Sequence, residues 1–512
     1  MLRESNGGWL PCGRTAALVG ATLLALAAIA FDWTPLLRGP APYPPEWRWE
    51  RRGEATSGRF APALFAAAGL VGLLAASGSA WARRRPQAAA RAILAAGTVL
   101  GWGFAVGLVD LEPSGALRTL TARAASRTVT SYLRVAASPE TRDPLAFVDR
   151  HADLLPRLRK EAKHAATHPP GPVLFYRGLI GLCEASPALS RALLRAAGFD
   201  PTGGAVSRPP LGPQARAAGL LGALLIPLLG AATVWPLASL ARRTGLDHLS
   251  AARTGLFWTL VPGAALMTPQ FDQALALPVT TATACLAAAM ADRTRATRLA
   301  LLGGVLGGVA VFFSYGAPAF LAIGGMAAWA LTMQGPSAWT ARLRAVAVAL
   351  TAAGVTLAAP MAVGHDPWQA ARTALAIHRE VYTLPRDYAL WLVFNPVDLS
   401  VFLGIPLALL LAHRVWAATR RRLCGDPSPP ATDRLAIVAA AGLFLLLLSG
   451  AVRGETGRIW IPLMPLLVVA GVAAAPRTAE AEPPSPTASE ATLLGTLLAS
   501  LCVALRVFWQ VH

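Results

Sequence analysis

Thirteen long apolar blocks, most of them joined by short arginine-bearing connections, leave this chain little choice but to fold within a lipid bilayer. A helix of about 20 apolar residues crosses the hydrocarbon core. Blocks of that order lie at 15–31, 61–82, 92–111, 217–241, 251–267, 273–291, 299–313, 316–333, 345–363, 397–411, 435–452, 459–475 and 491–509. Only 14% of the 512 residues are charged, against about 25% in a solvated globular protein. A hydrophobic share of 54% also excludes a disordered chain. The expected fold class is all-α, a polytopic transmembrane helical bundle of about 13 spans.

The formal charge of +19 comes almost wholly from arginine; Lys160 and Lys163 are the two lysines. The arginines sit between apolar blocks, where they set orientation, and no nucleic-acid partner is expected. Arg83, Arg84, Arg85 and Arg91 form one such connection, followed by Arg242, Arg243 and Arg253, then Arg293, Arg295 and Arg298, then Arg342 and Arg344, then Arg420, Arg421 and Arg422. With the N-terminus inside, all of them fall on the cytoplasmic side, provided that the short block 171–185 does not cross. That block carries Arg177 and reads as an interfacial amphipathic helix. The outer side then receives the segments 32–59, 112–216 and 364–395 and the turns 268–272, 314–315 and 453–458. Asp32-Trp33-Thr34-Pro35 after the first block offers no small-residue cleavage site, so that block reads as a retained anchor. Five scattered cysteines predict neither a disulfide framework nor a zinc site. The Pro/Ser/Glu-rich stretch 476–490 reads as a linker.

Ionisable residues at a membrane boundary are costly to hold and are functional candidates by default. Asp110 and Glu112 end the third block, either as a helix terminus or as a general base or divalent-ion pair. His168, before Pro169 and Pro170, can face headgroups or hydrogen-bond a lipid phosphate or sugar hydroxyl. Asp272, flanked by Gln270 and Gln273, can cap a helix or bind a polar substrate. Arg453, Glu455 and Arg458, with Gly454 and Gly457 between them, can anchor a hairpin or hold phosphate oxygens. The aromatic segment 42–49 reads first as an interfacial belt and second as a sugar-stacking surface. Nucleophile elbows, phosphate-binding loops and dinucleotide fingerprints are absent from the sequence.

In this order, these residues resemble the GT-C superfamily of integral membrane glycosyltransferases, in particular its protein O-mannosyltransferase-like and aminoarabinose-transferase-like branch. The resemblance rests on the block 92–111 with Asp110 or Glu112 at its end, on His168-Pro169-Pro170 opening a juxtamembrane helix, on the arginine-ended block 217–243, and on Pro269 through Asp272. It covers roughly 92–475, and the Arg453–Arg458 element looks like one in bacterial members of the group. The chain departs from the family's compact acidic motif: its outer loop offers Asp110, Glu112, Asp143, Asp149 and Asp153, and Tyr132 has Ser131 beside it.

The resemblance implies a GT-C-like bundle with interfacial helices in a long extracytoplasmic loop. The divisions are an N-terminal hairpin at 1–91, a catalytic membrane module at 92–363 containing the loop 112–216, a C-terminal module at 364–475, the linker and a terminal helix at 491–512. It implies a sugar moved from a polyprenyl-phosphate donor to a hydroxyl of a lipid, glycan or protein acceptor, on the outer face of a bacterial inner membrane. Asp110, Glu112, Asp143 or Asp272 would act as base; His168, Arg453, Glu455 and Arg458 would hold the donor phosphate. No cofactor is required, and a divalent metal is not supported. A transporter or flippase of lipid-linked saccharides, or a catalytically inactive relative of the transferases, are the alternatives.

Overall fold

The computed structural model describes residues 12–53, 56–199, 211–292, 294–333, 339–425, 429–473 and 486–511. Arg293, Pro427 and linker residues 476–485 lie outside the described residues. The described chain is helical almost throughout, as expected of a chain that must satisfy its backbone polar groups within lipid. A two-stranded pairing, Glu50–Arg51 antiparallel to Trp509–Gln510, ties the first outer segment to the C-terminal end.

Among the described residues, eight helices are long and apolar enough to cross a membrane, and a ninth crossing follows if one bent pair counts as a span. The eight include Pro86–Val109, Pro213–Arg242, Phe271–Ala291, Ala431–Ser449 and Ala488–Phe508. Three expected spans are shorter apolar helices, Ala61–Ala76, Ala317–Thr332 and Ile461–Val472. The block 251–267 is divided into His248–Thr259 and Pro262–Leu266, buried within the bundle. Pro262 fits the first turn of the second piece, where a missing N–H costs nothing.

The block 397–411 departs most from its expected form. It is the junction of Tyr388–Leu403 and Ile405–Leu423, which bend by 117°. Gly404 makes the corner with φ of +92°, and Leu498 and Pro262 pack where a side chain would stand. A straight helix through this block would need a negative, helical φ at Gly404.

The two ends of the bundle carry different chemistry. Helix Ala488–Phe508 starts beside Arg253, whose guanidinium donates to Ser77 Oγ (2.6 Å) and the Pro486 carbonyl (2.7 Å). It finishes at Arg506, which reaches Glu112 and the Leu266 carbonyl. Helix Ala431–Ser449 likewise starts at Asp433, paired with Arg414 and Arg421, and finishes at the turn leading to Arg453. The helix Gly171–Ala185 leaves from His168 and turns back at Ser186, whose Oγ accepts from Leu189 N; Ser190 Oγ donates to the Cys183 carbonyl at 2.8 Å. The following helix, Pro187–Ala196, leads to carbonyls at Ala197 and Gly198 that accept from Arg118, so this excursion remains within the segment 112–216.

Candidate functional site

Six separate stretches of chain meet at a cavity of about 300 Å³. His168, Asp272, Arg453, Glu455 and Arg458 all line it, together with Tyr132, His164, Tyr315, His378, Tyr382 and Arg386.

The turn between Ser449 and Thr456 is held from the Tyr388–Leu403 helix. Asn395 Nδ2 donates to the Val452 carbonyl (2.8 Å), and Asn395 Oδ1 accepts from Gly454 N (3.0 Å). One turn further along, Asp398 Oδ2 accepts from Thr456 Oγ1 (3.0 Å) and Gly457 N (2.8 Å). Asp398 Oδ1 accepts from Trp49 Nε1 at 2.7 Å. Residues 395 and 398 are three apart and share a helix face, so one face grips the whole turn. The grip forces unusual backbone. Gly454 has φ of +96°, with Arg386 and Trp391 where a Cβ would project. Glu455 has φ of +59°, a left-handed conformation that a non-glycine residue keeps only under external constraint. The close backbone approach allowed by Gly454 is thus to the protein itself.

Glu455 sits between two guanidinium groups, Arg458 Nη2 at 2.8 Å and Arg386 Nη2 at 3.2 Å. Burial opposes its ionisation, but Arg458 and Arg386 outweigh this and hold its carboxyl below the usual range. Arg453 spends its donors on backbone: Nη1 to the Arg386 carbonyl (2.6 Å) and Nε to the Gly450 carbonyl (3.3 Å), with the guanidinium over the Tyr388 ring. Arg386 returns a bond to the Arg453 carbonyl and lies 5.7 Å from the Trp47 ring centroid. Arg458 differs, because its Nε is buried without a hydrogen-bond partner. Three arginines against Asp272 and Glu455 give the lining one net positive charge, with its histidines neutral.

The histidines are neutral for a physical reason. Burial pushes His168 down to about 3 and His164 down to about 4. His168 Nδ1 lies 2.8 Å from the His164 carbonyl, which requires the proton on Nδ1. Nε2 is then a hydrogen-bond acceptor, suited to a hydroxyl rather than a phosphate oxygen. The ring meets the edge of Tyr132 at 5.5 Å. His164 Nε2 donates to the Thr128 carbonyl (2.8 Å), and its ring stacks on Tyr382 at 6.0 Å.

Asp272 is the second residue of helix Phe271–Ala291, where the helix dipole favours a carboxylate. Among the described residues it forms no ion pair. Gln270 lines the cavity beside it, whereas Gln273 turns into the fold toward the Ala264 carbonyl and Thr268.

The other candidate acids lie outside the cavity lining. Asp110 Oδ1 accepts from Ala116 N (2.9 Å) at the start of Ala116–Ala125, and Asp110 pairs with Arg59 at 3.5 Å. Asp143 caps Pro144–Asp149 by accepting from Leu145 N and Ala146 N. Glu112 is the centre of a buried cluster, bonded by Arg52 at 2.8 Å and by Arg123 and Arg506 at 3.1 Å. Among the described residues, no three His, Cys, Asp or Glu side chains are grouped to hold a metal ion. The aromatic segment 42–49 is also inside the protein at its key points. Trp49 is buried, and Glu46 accepts from Trp391 Nε1 (2.7 Å) and Asp387 N (2.9 Å).

Reading the sequence alone misses Arg386, His164, His378 and Tyr382 in the lining and Asn395 and Asp398 behind it. Asp398 carried a signal, since an acid within an apolar block asks for a partner. His164 stands one helical turn before His168, a spacing that puts both on one face.

No family model, curated protein or solved structure matches this chain.

Proposed function

We propose that the chain is a membrane glycosyltransferase, resembling the GT-C group, that takes a sugar from a polyprenyl-phosphate donor and transfers it to an acceptor hydroxyl. One observation carries the reading: Asp272, His168 and Arg458, distant in sequence, line a single cavity at the end of the bundle opposite the Arg414–Asp433 cluster. The lining mixes charged groups, Glu455 and Arg458 among them, with the apolar side chains of Leu275, Phe320, Leu375 and Leu446. A lipid-linked phosphate carries the same two kinds of group.

Asp272 is the base in this reading. It takes the acceptor's hydroxyl proton, the acceptor oxygen bonds to the anomeric carbon with inversion, and the bond from that carbon to the phosphate oxygen breaks. The electron pair leaves with the lipid phosphate, whose growing charge Arg458 stabilises. His168 Nε2 accepts from a sugar hydroxyl and orients the ring. Glu455 fixes Arg458, while Arg453 and Arg386 fix the turn. The cavity opens on the extracytoplasmic face of a bacterial inner membrane, with the arginine-rich end in the cytoplasm as charge bias requires.

Native mass spectrometry of the purified protein in neutral nanodiscs tests this with polyprenyl phosphate and the matching polyprenol. Wild-type protein retains the phosphate in preference to the alcohol. Arg458→Gln weakens that retention by about tenfold or more, as loss of a charge-assisted bond requires. Equal retention of phosphate and alcohol by the wild type overturns the reading. A flippase for lipid-linked saccharides is the second reading, supported by the helix broken at Gly404. It predicts movement of labelled lipid between leaflets without transfer, and indifference to Asp272→Asn.

A further inference from the structure

A groove of about 470 Å³ runs along the outside of the bundle between the helices Ile405–Leu423 and Ala431–Ser449. Its roof is the Tyr388–Leu403 helix, which contributes Pro396, Leu399 and Leu403. The same helix grips the site turn with Asn395 and Asp398, on another face. From Ala408 to Thr419 the groove follows the first of its walls. That is about 16 Å of helix rise, close to half of a hydrocarbon core of about 30 Å. The groove thus has about the depth of one leaflet, and its lining reaches Leu403, next to the corner at Gly404.

Its mouth is basic. Ile405–Leu423 carries Arg414, Arg420, Arg421 and Arg422. Arg414 and Arg421 turn to one side and tie Asp433. By helical spacing, Arg422 continues the row of Val415 and Thr419, and Arg420 continues that of Ala412 and Trp416, both rows lining the groove. Both arginines are exposed, and neither has a carboxylate partner among the described residues. Arg14 adds charge nearby, through its coulombic effect on Arg414 and His413. Trp416 is 67% exposed one turn inside the mouth, the depth at which indole rings settle at a membrane interface.

We propose that this groove is a binding site for an anionic bilayer phospholipid, with one acyl chain lying beneath the Tyr388–Leu403 helix and the headgroup phosphate held by Arg420 and Arg422. The site belongs to the leaflet opposite the cavity and does not depend on the glycosyltransferase reading. An orientation signal needs only the charges; it needs neither a leaflet-deep groove nor unpaired arginines aligned with its lining.

The test uses the full chain, stripped of endogenous lipid in neutral detergent and titrated with phosphatidylglycerol, phosphatidylcholine or polyprenyl phosphate of matched concentration. Retained lipid is counted by native mass spectrometry. Wild-type protein keeps phosphatidylglycerol over phosphatidylcholine by about tenfold or more, the scale expected of two surface arginines. Arg420→Gln combined with Arg422→Gln removes that preference. Ala412→Trp, at an exposed groove position, lowers phosphatidylglycerol retention with both arginines present. Equal retention of the two phospholipids by the wild type overturns the proposal. A preference that survives the double arginine change does so too, and so does retention unaffected by Ala412→Trp, which leaves only diffuse charge attraction. Displacement of phosphatidylglycerol by equimolar polyprenyl phosphate, sensitive to Arg422, assigns the groove to a different lipid and also overturns it.

Discussion

Replacing Glu112 by Gln separates a structural acid from a chemical one. Its carboxylate is bonded by Arg52, Arg123 and Arg506. Arg123 also donates to the Thr268 carbonyl (2.8 Å) and Arg506 to the Leu266 carbonyl (2.9 Å), so the cluster anchors the turn that leads to Asp272. Burial opposes the charge of Glu112, yet the Arg52 bonds and the charges of Arg506 and Arg123 draw its carboxyl from 4.5 down to about 2. At about 1.4 kcal/mol per pH unit, this corresponds to roughly 3 kcal/mol of folded-state stabilisation. Removing one member of a buried ion cluster costs a similar 3–5 kcal/mol or so. The folded value lies below the unfolded one, so this stabilisation is complete above about pH 4.5 and is lost as pH falls toward 2. Glu112→Gln should therefore lower the thermal unfolding midpoint in detergent by several degrees at pH 7. It should also flatten the decline in midpoint that the wild type shows below pH 4.5. Transfer activity per folded molecule should be largely retained. A variant with the wild-type midpoint and acid profile but no transfer refutes the structural assignment.

Two further substitutions probe the cavity and its support. Asp272→Asn should abolish sugar transfer, by at least about 100-fold for loss of a general base, while polyprenyl-phosphate retention stays within a few fold; a variant that still transfers removes Asp272 as base. Asp398→Ala frees Thr456, Gly457 and Trp49 at once and should weaken phosphate retention about as much as Arg458→Gln, although Asp398 does not line the cavity; unchanged retention shows that the turn holds its shape without it.

The sequence disclosed the fold class because apolar length and arginine placement act locally, each block carrying its own signal. It could not disclose which blocks stay straight. Gly404 looks like any glycine in a membrane helix, and its corner depends on the packing of Leu498 and Pro262 from distant chain. The acids illustrate the same divide. Asp110, Glu112 and Asp272 stand at block boundaries and Asp143 within the outer loop, and their spacing cannot distinguish a cap from a cavity wall. Partners distinguish them: the N–H of Ala116 for Asp110, those of Leu145 and Ala146 for Asp143, and arginines from residues 52, 123 and 506 for Glu112. The Arg453–Arg458 turn stood out by composition. Its support did not, because Asn395 and Asp398 lie in an apolar stretch and Trp49 lies some 350 residues away in the chain.

Photocrosslinking is the most direct test of the cavity as a lipid-phosphate site. A polyprenyl phosphate with a photoreactive group beside the phosphate is irradiated with the protein in nanodiscs, and the labelled peptides are sequenced. The account predicts label in the stretches around 164–168, 268–275 and 453–460, all of it suppressed by unlabelled polyprenyl phosphate. Label confined to the opposite end, around 253 or 414–433, or insensitive to competition, contradicts it.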